Sequence, residues 1–252
     1  MDGFTLAVII EGCIFAFAAG LVYGIFGGGS GLFLMPGFYF LLRHFPGAEQ
    51  HAMQISIATT AGTSALLGIM PTLVQLKQKH LDFTVVKKVF WGILTGTVLA
   101  VILLNFIPSA FLKKLFGAVV ILVALWFWFY RQDQDKKTWC LSGFINYIYT
   151  SCIGLLWFLL GIAVFTVPYL HKCGIDMRRA VGSGTFVSSI FSLIAALLLI
   201  GAGIPKIGFT MHQFGYLNTT LLLIALIPSS IAAYVGAKIS AKLPQKYLKK
   251  VY

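Results

Sequence analysis

The sequence predicts an all-α polytopic membrane protein, and its composition and patterning both carry that prediction. Of the 252 residues, 59% are apolar and only 10% are charged, and the mean hydropathy is +0.90. One globular core cannot bury so much apolar surface, so lipid must be the solvent for most of the chain. The apolar residues form uninterrupted runs and do not alternate with polar ones, which favours helices.

Six apolar runs have the length of a membrane span and contain no Asp, Glu, Lys or Arg. They cover residues 52–74, 89–107, 115–130, 139–160, 180–203 and 214–237. Because roughly 20 helical residues cross the hydrocarbon core, each run can span a bilayer. A further stretch at 4–26 lacks the basic start of a secretory signal, so we predict a retained helix there.

The chain matches itself at landmarks in the same order, which predicts an internal duplication. IPSAFLKKLF at 107–116 resembles LPQKYLKKVY at 243–252, and the segment around Pro36 aligns with the one around Pro168. After each proline comes a polar loop and then a helix start rich in small and hydroxyl residues. The predicted transmembrane repeats are residues 1–138 and 139–252.

The direction of the repeats depends on the short piece 31–43, which reaches only about 20 Å as a helix. Suppose that it returns to the side where 4–26 began, and that 139–170 also doubles back. Alternate loops then divide the 19 Lys and Arg residues 15 to 4, whereas single crossings would divide them 8 to 11. The four on the minority side are Arg43, Lys113, Lys114 and Lys206.

This imbalance predicts a membrane orientation through the positive-inside rule. The N-terminus is expected outside and the chain in a bacterial cytoplasmic (inner) membrane. The loops expected in the cytoplasm are 75–88, 131–138, 171–179 and 238–250. The net charge of +12 is thereby explained by topology, and no nucleic acid is needed as a partner.

Each half then has five segments, so the second half runs opposite to the first and each begins with a broken, re-entrant helix pair. This is the inverted repeat of many secondary transporters. The run 115–130 has no counterpart before Tyr252. We therefore expect that the sequence ends before a tenth segment or that the protein lacks one.

The cluster Gly27-Gly28-Gly29-Ser30-Gly31 lies between two apolar pieces. Unwound backbone inside a membrane must be enclosed by protein or line a cavity, because lipid cannot hydrogen-bond its amides. We interpret the cluster as a broken helix whose second half points N–H groups at an anion, which makes Gly27, Gly28, Gly29 and Ser30 candidates for substrate binding. The alternative is that the glycines only permit close helix packing or a sharp turn.

Each repeat continues into a helix start rich in neutral polar side chains, which can bind an oxyanion without trapping it. They are Gln54, Ser56, Thr59 and Thr60 in the first half, and Ser183, Thr185, Ser188 and Ser189 in the second. The alternative for each is a hydrogen bond between helices or to the i−4 carbonyl. The substrate-binding candidates taken from this set are Gln54, Ser56, Thr59, Ser183, Thr185 and Ser188.

Glu11 is the only formally charged residue inside an apolar run. Such residues are candidates for function in membranes, so Glu11 is the candidate for proton coupling, with snorkelling to the interface as the alternative. No phosphate-binding loop, zinc-protease, nucleophile-elbow or paired-carboxylate pattern is present, so nothing supports an enzyme or a cofactor.

Two blocks of sequence resemble a known family. GLVYGIFGGGSGLFLMPGFYFLL followed by HAMQISIATTAGTS, with a weaker repeat around AVGSGTF, is similar to the TauE/SafE sulfite exporter family, also called TSUP. The resemblance places the family's small and hydroxyl positions at 52–60 and 180–187. Where members keep a second glycine-rich turn, this chain has Phe-Leu-Leu-Gly-Ile-Ala at 158–163, and only Gly161 remains as a binding candidate.

The resemblance implies a secondary transporter that moves a small sulfur-containing anion by alternating access. Sulfite, thiosulfate, a sulfonate and a sulfoacetate-like anion all fit this expectation. The alternatives are an anion channel of the same architecture and a membrane scaffold subunit that transports nothing. The expected partners are the anion, the bilayer and a coupling proton.

Overall fold

The structure is a computed structural model that describes residues 2–44, 49–129, 143–160, 165–210 and 212–242. The described part of the chain is helical apart from one small antiparallel sheet. The α-helices are α1 (Asp2–Phe26), α2 (Gly31–Leu42), α3 (Ala52–Leu67), α4 (Ile69–Lys77), α5 (Phe83–Phe106), α6 (Ser109–Phe129), α7 (Gly143–Leu160), α8 (Thr166–Lys172), α9 (Met177–Ile207) and α10 (Thr219–Lys242). A 3-10 turn, Glu49–His51, precedes α3, and the strands are β1 (Phe209–Thr210), β2 (Gln213–Phe214) and β3 (Leu217–Asn218).

Five of the seven predicted membrane helices are confirmed as spans, whereas the runs 115–130 and 139–160 are not among the spans found in the described residues. Five described helical spans are long and apolar enough to cross a bilayer, namely Val8–Phe26, Ala52–Lys77, Phe83–Phe106, Met177–Ile207 and Thr219–Lys242. Gly31–Leu42 and Gly143–Leu159 are shorter apolar helices. The predicted loop at 131–138 and the sequence repeat at 243–252 lie outside the described residues.

The run 214–237 was predicted as helix throughout, and its first five residues correct that prediction. They belong to an antiparallel sheet in which Phe209 pairs with Phe214 and Gln213 with Asn218. The helix α10 begins only at Thr219, because the side chain of Asn218 accepts the Leu221 N–H at 3.0 Å and caps the helix.

Glycine contacts hold two pairs of helices together, and within each pair the helices run in the same direction. In the α1/α10 pair, Gly20 packs against Ser229 and Gly24 against Ala233. Backbones approach this closely only where the side chain is a hydrogen atom, as at many membrane helix interfaces.

The α5/α7 pair is built in the same way. Gly92 packs against Thr150, and Gly96 lies against Gly154. Because contacts advance along both helices together, α5 and α7 are also parallel.

Contacts between segments far apart in sequence define the two ends of the helix bundle. At one end, which we call the hairpin end, the Met53 N–H donates to Ser109 Oγ at 2.9 Å and Tyr216 Oη donates to Asn105 Oδ1 at 3.3 Å. At the other, which we call the basic end, the Asp82 N–H donates to Ser183 Oγ at 3.1 Å.

The described cations divide unevenly between these ends. The loops and helix ends at the basic end carry Lys77, Lys79, Lys87, Lys88, Lys172, Arg178, Arg179, Lys238 and Lys242. The segments at the hairpin end carry Arg43, Lys113, Lys114 and Lys206. The two groups agree with the loop assignment made from the sequence.

Helix α3 is the most enclosed element and positions the site. All of its residues except Leu66 are buried. By contrast, α1 and α10 expose large apolar side chains on the faces that point away from the bundle, as lipid-facing helices do. The polar residues of α3 therefore face protein on every side.

Candidate functional site

The junction between α1 and α2 is a sharp, fully buried turn. Gly27 and Gly29 have φ angles of +72° and +88°, a conformation that costs an L-residue roughly 1–2 kcal/mol. A Cβ at Gly27 would stand 2.6 Å from the Val181 carbonyl oxygen and 2.9 Å from Thr185 Oγ1. The predicted break is present, and Gly27 serves both the turn and the close approach of α9.

Hydroxyl groups of α9 fix this turn from the side. Ser188 Oγ donates to the Gly27 carbonyl oxygen at 3.0 Å. Tyr23 Oη donates to the Thr185 carbonyl oxygen at 3.2 Å and shares a 3.1 Å hydrogen bond with Ser189 Oγ. The end of α1 is thereby held to the first turns of α9.

Beyond the turn, the first residues of α2 open onto a small buried cavity between α2, α3, α7 and α9. Its polar side is formed by Gly29, Ser30 and Gly31 of the turn, Thr60 and Ser64 of α3, and Ser192 of α9. Ser30 Oγ and Ser64 Oγ are 2.7 Å apart and share a hydrogen bond. The cavity measures about 20 Å³, which is room for about one water molecule.

Thr60 is a lining residue of this cavity that has an unsatisfied polar group. Its side chain is 6% exposed, and its Oγ1 has no hydrogen-bond partner among the described residues. A buried hydroxyl left unpaired costs roughly 1–3 kcal/mol. A hydroxyl on a residue that lines a cavity can donate a hydrogen bond to a bound molecule.

The wall that α7 contributes to the cavity is apolar. It consists of Trp157 and Phe158, whose rings are stacked, with the centroids 5.2 Å apart and the planes 9° from parallel. Met35 of α2 and Ile57 of α3 add further apolar surface to the lining. Among the described residues that line the cavity, none carries a charge.

Several residues proposed from the sequence make hydrogen bonds away from the cavity. Gln54 Nε2 donates to the Ile107 carbonyl oxygen at 2.8 Å, and its Oε1 is buried without a partner in the described chain. Ser56 Oγ bonds back to the Ala52 carbonyl oxygen at 2.7 Å. These two side chains act within the protein, at the hairpin end of α3.

Thr59, Ser183 and Thr185 also have protein partners. Thr59 Oγ1 accepts the Asn218 N–H at 3.0 Å, and Ser183 Oγ accepts the Asp82 N–H. Thr185 Oγ1 bonds back to the Val181 carbonyl oxygen at 2.8 Å. Gly28 is buried in the turn, whereas Gly161 lies outside the described residues.

Glu11 lies in the third turn of α1 and is half-buried. Its Oε2 is buried and has no hydrogen-bond partner within the described chain. The neighbouring Gly12 packs against Ile224 of α10 and Leu41 of α2. The carboxyl group thus belongs to a helix, α1, against which α2 and α10 pack.

Tyr23, Ser64, Ser192 and Trp157 were not predicted from the sequence as site residues. A signal for two of them was present, because Ser64 follows Thr60 by four residues and Ser192 follows Ser188 by four. Residues four apart share a helix face. Extending the line of hydroxyl residues by one turn in each helix would therefore have predicted Ser64 and Ser192.

Further contacts between helices lie at the two ends of the bundle. At the basic end, His80 shares a 3.1 Å hydrogen bond with Gln75 Oε1. Burial, and then the charges of Arg178 and Arg179, lower the pKa of His80, while Asp176 opposes them. The neutral imidazole is therefore the favoured form in this contact.

At the hairpin end, Lys206 Nζ donates to the Asn105 carbonyl oxygen at 2.5 Å. His51 meets the ring of Tyr216 edge to face, with the centroids 5.7 Å apart. Burial and then the charge of Lys206 lower the pKa of His51, and burial raises that of Tyr216. These contacts hold the sheet over the start of α3.

Comparison with known proteins gives three matches to this chain. The family model described as Sulfite exporter TauE/SafE matches residues 12–252. A probable membrane transporter protein of Haemophilus influenzae is 24% identical over 252 residues, which is 99% of this chain and 94% of the relative. A probable membrane transporter protein of Methanocaldococcus jannaschii is also 24% identical, over 94% of this chain and 88% of the relative. No solved structure matches the chain.

Proposed function

Because the chain belongs to the sulfite exporter TauE/SafE family, we propose that it moves a small sulfur-containing anion across the membrane as a secondary transporter, by alternating access. The resemblance found in the sequence is confirmed, and with it the assignment to a family of membrane transporters and not of enzymes. Sulfite, thiosulfate, a sulfonate and a sulfoacetate-like anion are the candidate substrates.

One observation carries this proposal: the N-terminus of α2 lines one buried cavity together with Thr60, whose hydroxyl has no partner among the described residues. A helix N-terminus offers a partial positive charge to an anion, although the Leu32 and Phe33 N–H groups of α2 already donate to the Gly29 and Ser30 carbonyl oxygens. Ser64 and Ser192 add neutral hydroxyls. Donors without formal charge bind an oxyanion weakly enough to release it, as a transport cycle needs.

The remaining candidates from the sequence support the site and do not line it in this conformation. Gly27, Gly28 and Ser188 keep the turn in place, and Thr185 packs beside it. Gln54, Ser56, Thr59 and Ser183 hold α3 and α9 to their neighbours. They reach the anion only if the helices move.

An inverted repeat accounts for the helix directions. In the sequence alignment α1 corresponds to α7 and α10 to α5, and the pairs α1/α10 and α5/α7 are each parallel and packed through glycine. Helices α3 and α9 then correspond, and they bring Ser64 and Ser192 to the same cavity. Two rigid pairs that tilt about the cavity would expose it at the hairpin end and the basic end in turn.

The basic end is proposed as cytoplasmic and the N-terminus as external, in a bacterial inner membrane. The uneven distribution of Lys and Arg supports this orientation. Accessibility of single cysteines introduced into the loops at 75–88 and 43–50 tests it in intact cells, since only an external loop reacts with an impermeant reagent.

Glu11 is proposed as the coupling group that takes up and releases a proton during the cycle. Its Oε2, which is buried and has no partner in the described part of the chain, supports this role. A Glu11→Gln variant should transport the anion down its own gradient but lose the stimulation of uptake by an imposed pH gradient. Stimulation equal to that of the wild type would remove Glu11 from the mechanism.

The experiment for the proposed function is uptake of radiolabelled sulfite, thiosulfate and methanesulfonate into proteoliposomes that contain the purified protein. A secondary transporter saturates with substrate concentration and supports exchange of labelled for unlabelled anion. Unsaturated flux with measurable conductance would identify a channel instead. A protein that is folded and inserted but moves none of these anions would overturn the proposal.

A further inference from the structure

The two walls of the cavity differ in chemistry, and this difference bears on which anion fits. The polar wall presents hydroxyls and the α2 N-terminus, whereas the wall formed by Trp157 and Phe158 presents only aromatic carbon and the indole edge. Trp157 is 5% exposed and Phe158 is 3% exposed. Both rings are thus buried in the protein interior, next to the cavity.

An inorganic oxyanion suits only half of this lining. Its oxygens point in several directions, so at least one would face the aromatic wall without a hydrogen-bond donor. Leaving a charged oxygen unpaired in a buried site carries a large desolvation cost. An organic sulfonate places its three oxygens on one side and its carbon on the other, which matches the two walls.

The charge of the site leads to the same choice. The described lining contains no Lys, Arg or His, and a helix N-terminus contributes about half of a positive charge. This is enough to compensate much of a monoanion and little of a dianion. A singly charged sulfonate is therefore favoured over sulfate or doubly charged sulfite.

The size of the cavity shows which wall must yield when an anion enters. A sulfonate group does not fit into a space for one water. The polar wall is held by the Ser30–Ser64 hydrogen bond and by the turn docked on α9. Among the described residues no side-chain hydrogen bond holds the aromatic pair, so displacement of its rings costs only packing.

We infer that Trp157 and Phe158 are specificity-determining residues, which select a monoanion with one small apolar substituent, an organic sulfonate, over an inorganic oxyanion. The inference rests on the proposed function of the cavity as the substrate site. In the bound state, contacts between the apolar substituent and the two rings would replace the contacts that the rings make around the empty cavity.

The test is inhibition of labelled methanesulfonate uptake in proteoliposomes by a series of unlabelled anions. Methane-, ethane- and propanesulfonate are compared with sulfate and sulfite. For the wild type, the inhibition constant should fall by up to about fourfold with each added methylene, and sulfate and sulfite should inhibit at least about tenfold more weakly than propanesulfonate.

Two variants locate the effect, and a third is the matched control. Trp157→Leu and Phe158→Leu should each flatten the dependence on chain length and reduce the preference over sulfite at least about fivefold. Trp91 of α5 is 66% exposed, so Trp91→Leu removes the same side chain from the outside of the bundle and should leave the series unchanged. If both cavity variants fail to fold, the wild-type series still decides whether the site prefers an organic sulfonate to an inorganic oxyanion.

The outcomes separate this inference from the proposed function. Uptake of labelled sulfite in parallel, with alkanesulfonates no better than sulfate as inhibitors, would overturn the inference and leave the transporter intact. A wild-type protein that moves neither sulfite nor methanesulfonate would overturn both.

Discussion

Two adjacent threonines of α3 differ in their hydrogen bonding. Thr59 Oγ1 accepts the Asn218 N–H and ties α3 to the strand before α10. Thr60, one residue later and about 100° around the helix, lines the cavity, and its Oγ1 has no partner among the described residues. Two residues of the same type therefore differ only in their tertiary contacts, which the sequence does not reveal.

The largest effect is expected where the turn itself is changed. Gly27→Ala puts a Cβ at a positive φ and 2.6 Å from the Val181 carbonyl oxygen. We expect loss of transport in a protein that still inserts, with at least about 2 kcal/mol lost from the free energy of unfolding. Uptake and thermal melting in detergent measure the two effects.

Gly117 of α6 is the matched control for this change. A Cβ at Gly117 meets no atom within 4 Å, so Gly117→Ala should raise stability by up to about 1 kcal/mol and leave transport unchanged. Equal behaviour of the two variants would show that the turn tolerates side chains and does not shape the site.

The second prediction separates the two threonines directly. Thr60→Val removes a buried hydroxyl that has no partner among the described residues, so the free energy of unfolding should stay the same or rise by up to about 1–3 kcal/mol, while the KM for the anion should rise at least about tenfold. Thr59→Val leaves the Asn218 N–H unpaired and should cost about 1–3 kcal/mol with little change in KM. The reverse pattern would place the substrate on the other face of α3.

A smaller effect is expected for the hydroxyl that holds the turn from α9. Ser188→Ala removes the hydrogen bond to the Gly27 carbonyl oxygen, which should cost about 0.5–1.5 kcal/mol and lower kcat more than it raises KM. Ser56 bonds only to its own helix, so Ser56→Ala should stay within about 0.5 kcal/mol of the wild type. Melting temperatures and uptake kinetics of the pair decide whether the bond between helices matters.

The smallest effect is a dependence of stability on pH that arises at the basic end. The pKa of His80 is lowered in the folded protein, by burial first and then by Arg178 and Arg179. The unfolded chain therefore binds the proton more readily, so stability is complete above pH 6.5 and falls as the pH drops through the lower pKa of the folded state. A melting series between about pH 8 and pH 5 should show this decline, and His80→Asn should reduce it. An unchanged slope in that variant would assign the decline to other groups.

The helices were predictable from the sequence because long apolar runs leave the backbone in lipid no alternative to helical hydrogen bonding. The turn at Gly27 and Gly29 was predictable for the same reason, since consecutive glycines interrupt such a run. The start of α10 was not, because residues 214–218 are apolar enough for a helix and only the pairing with β1 and the Asn218 cap reveal the sheet.

The cavity was only half predictable. Thr60 belongs to the hydroxyl-rich helix start that the sequence marked, but its lack of a partner depends on the packing of four helices. Trp157 stands in an apolar run where nothing in the pattern separates a lipid-facing ring from a buried one. Such a distinction requires the tertiary structure.

The most direct test of the cavity as the anion site is thermal stabilisation of the detergent-purified protein by sulfite, thiosulfate and methanesulfonate, with chloride as the reference. A ligand that binds only the folded state raises its stability by RT ln(1 + [L]/Kd), about 2.7 kcal/mol at a concentration of 100 Kd. We predict that at least one sulfur anion stabilises the wild type and Thr59→Val, and that at 100 wild-type Kd its stabilisation of Thr60→Val is smaller by at least about 1.3 kcal/mol, as a tenfold loss of affinity requires. Equal stabilisation of Thr60→Val and the wild type would place the anion elsewhere and contradict the account.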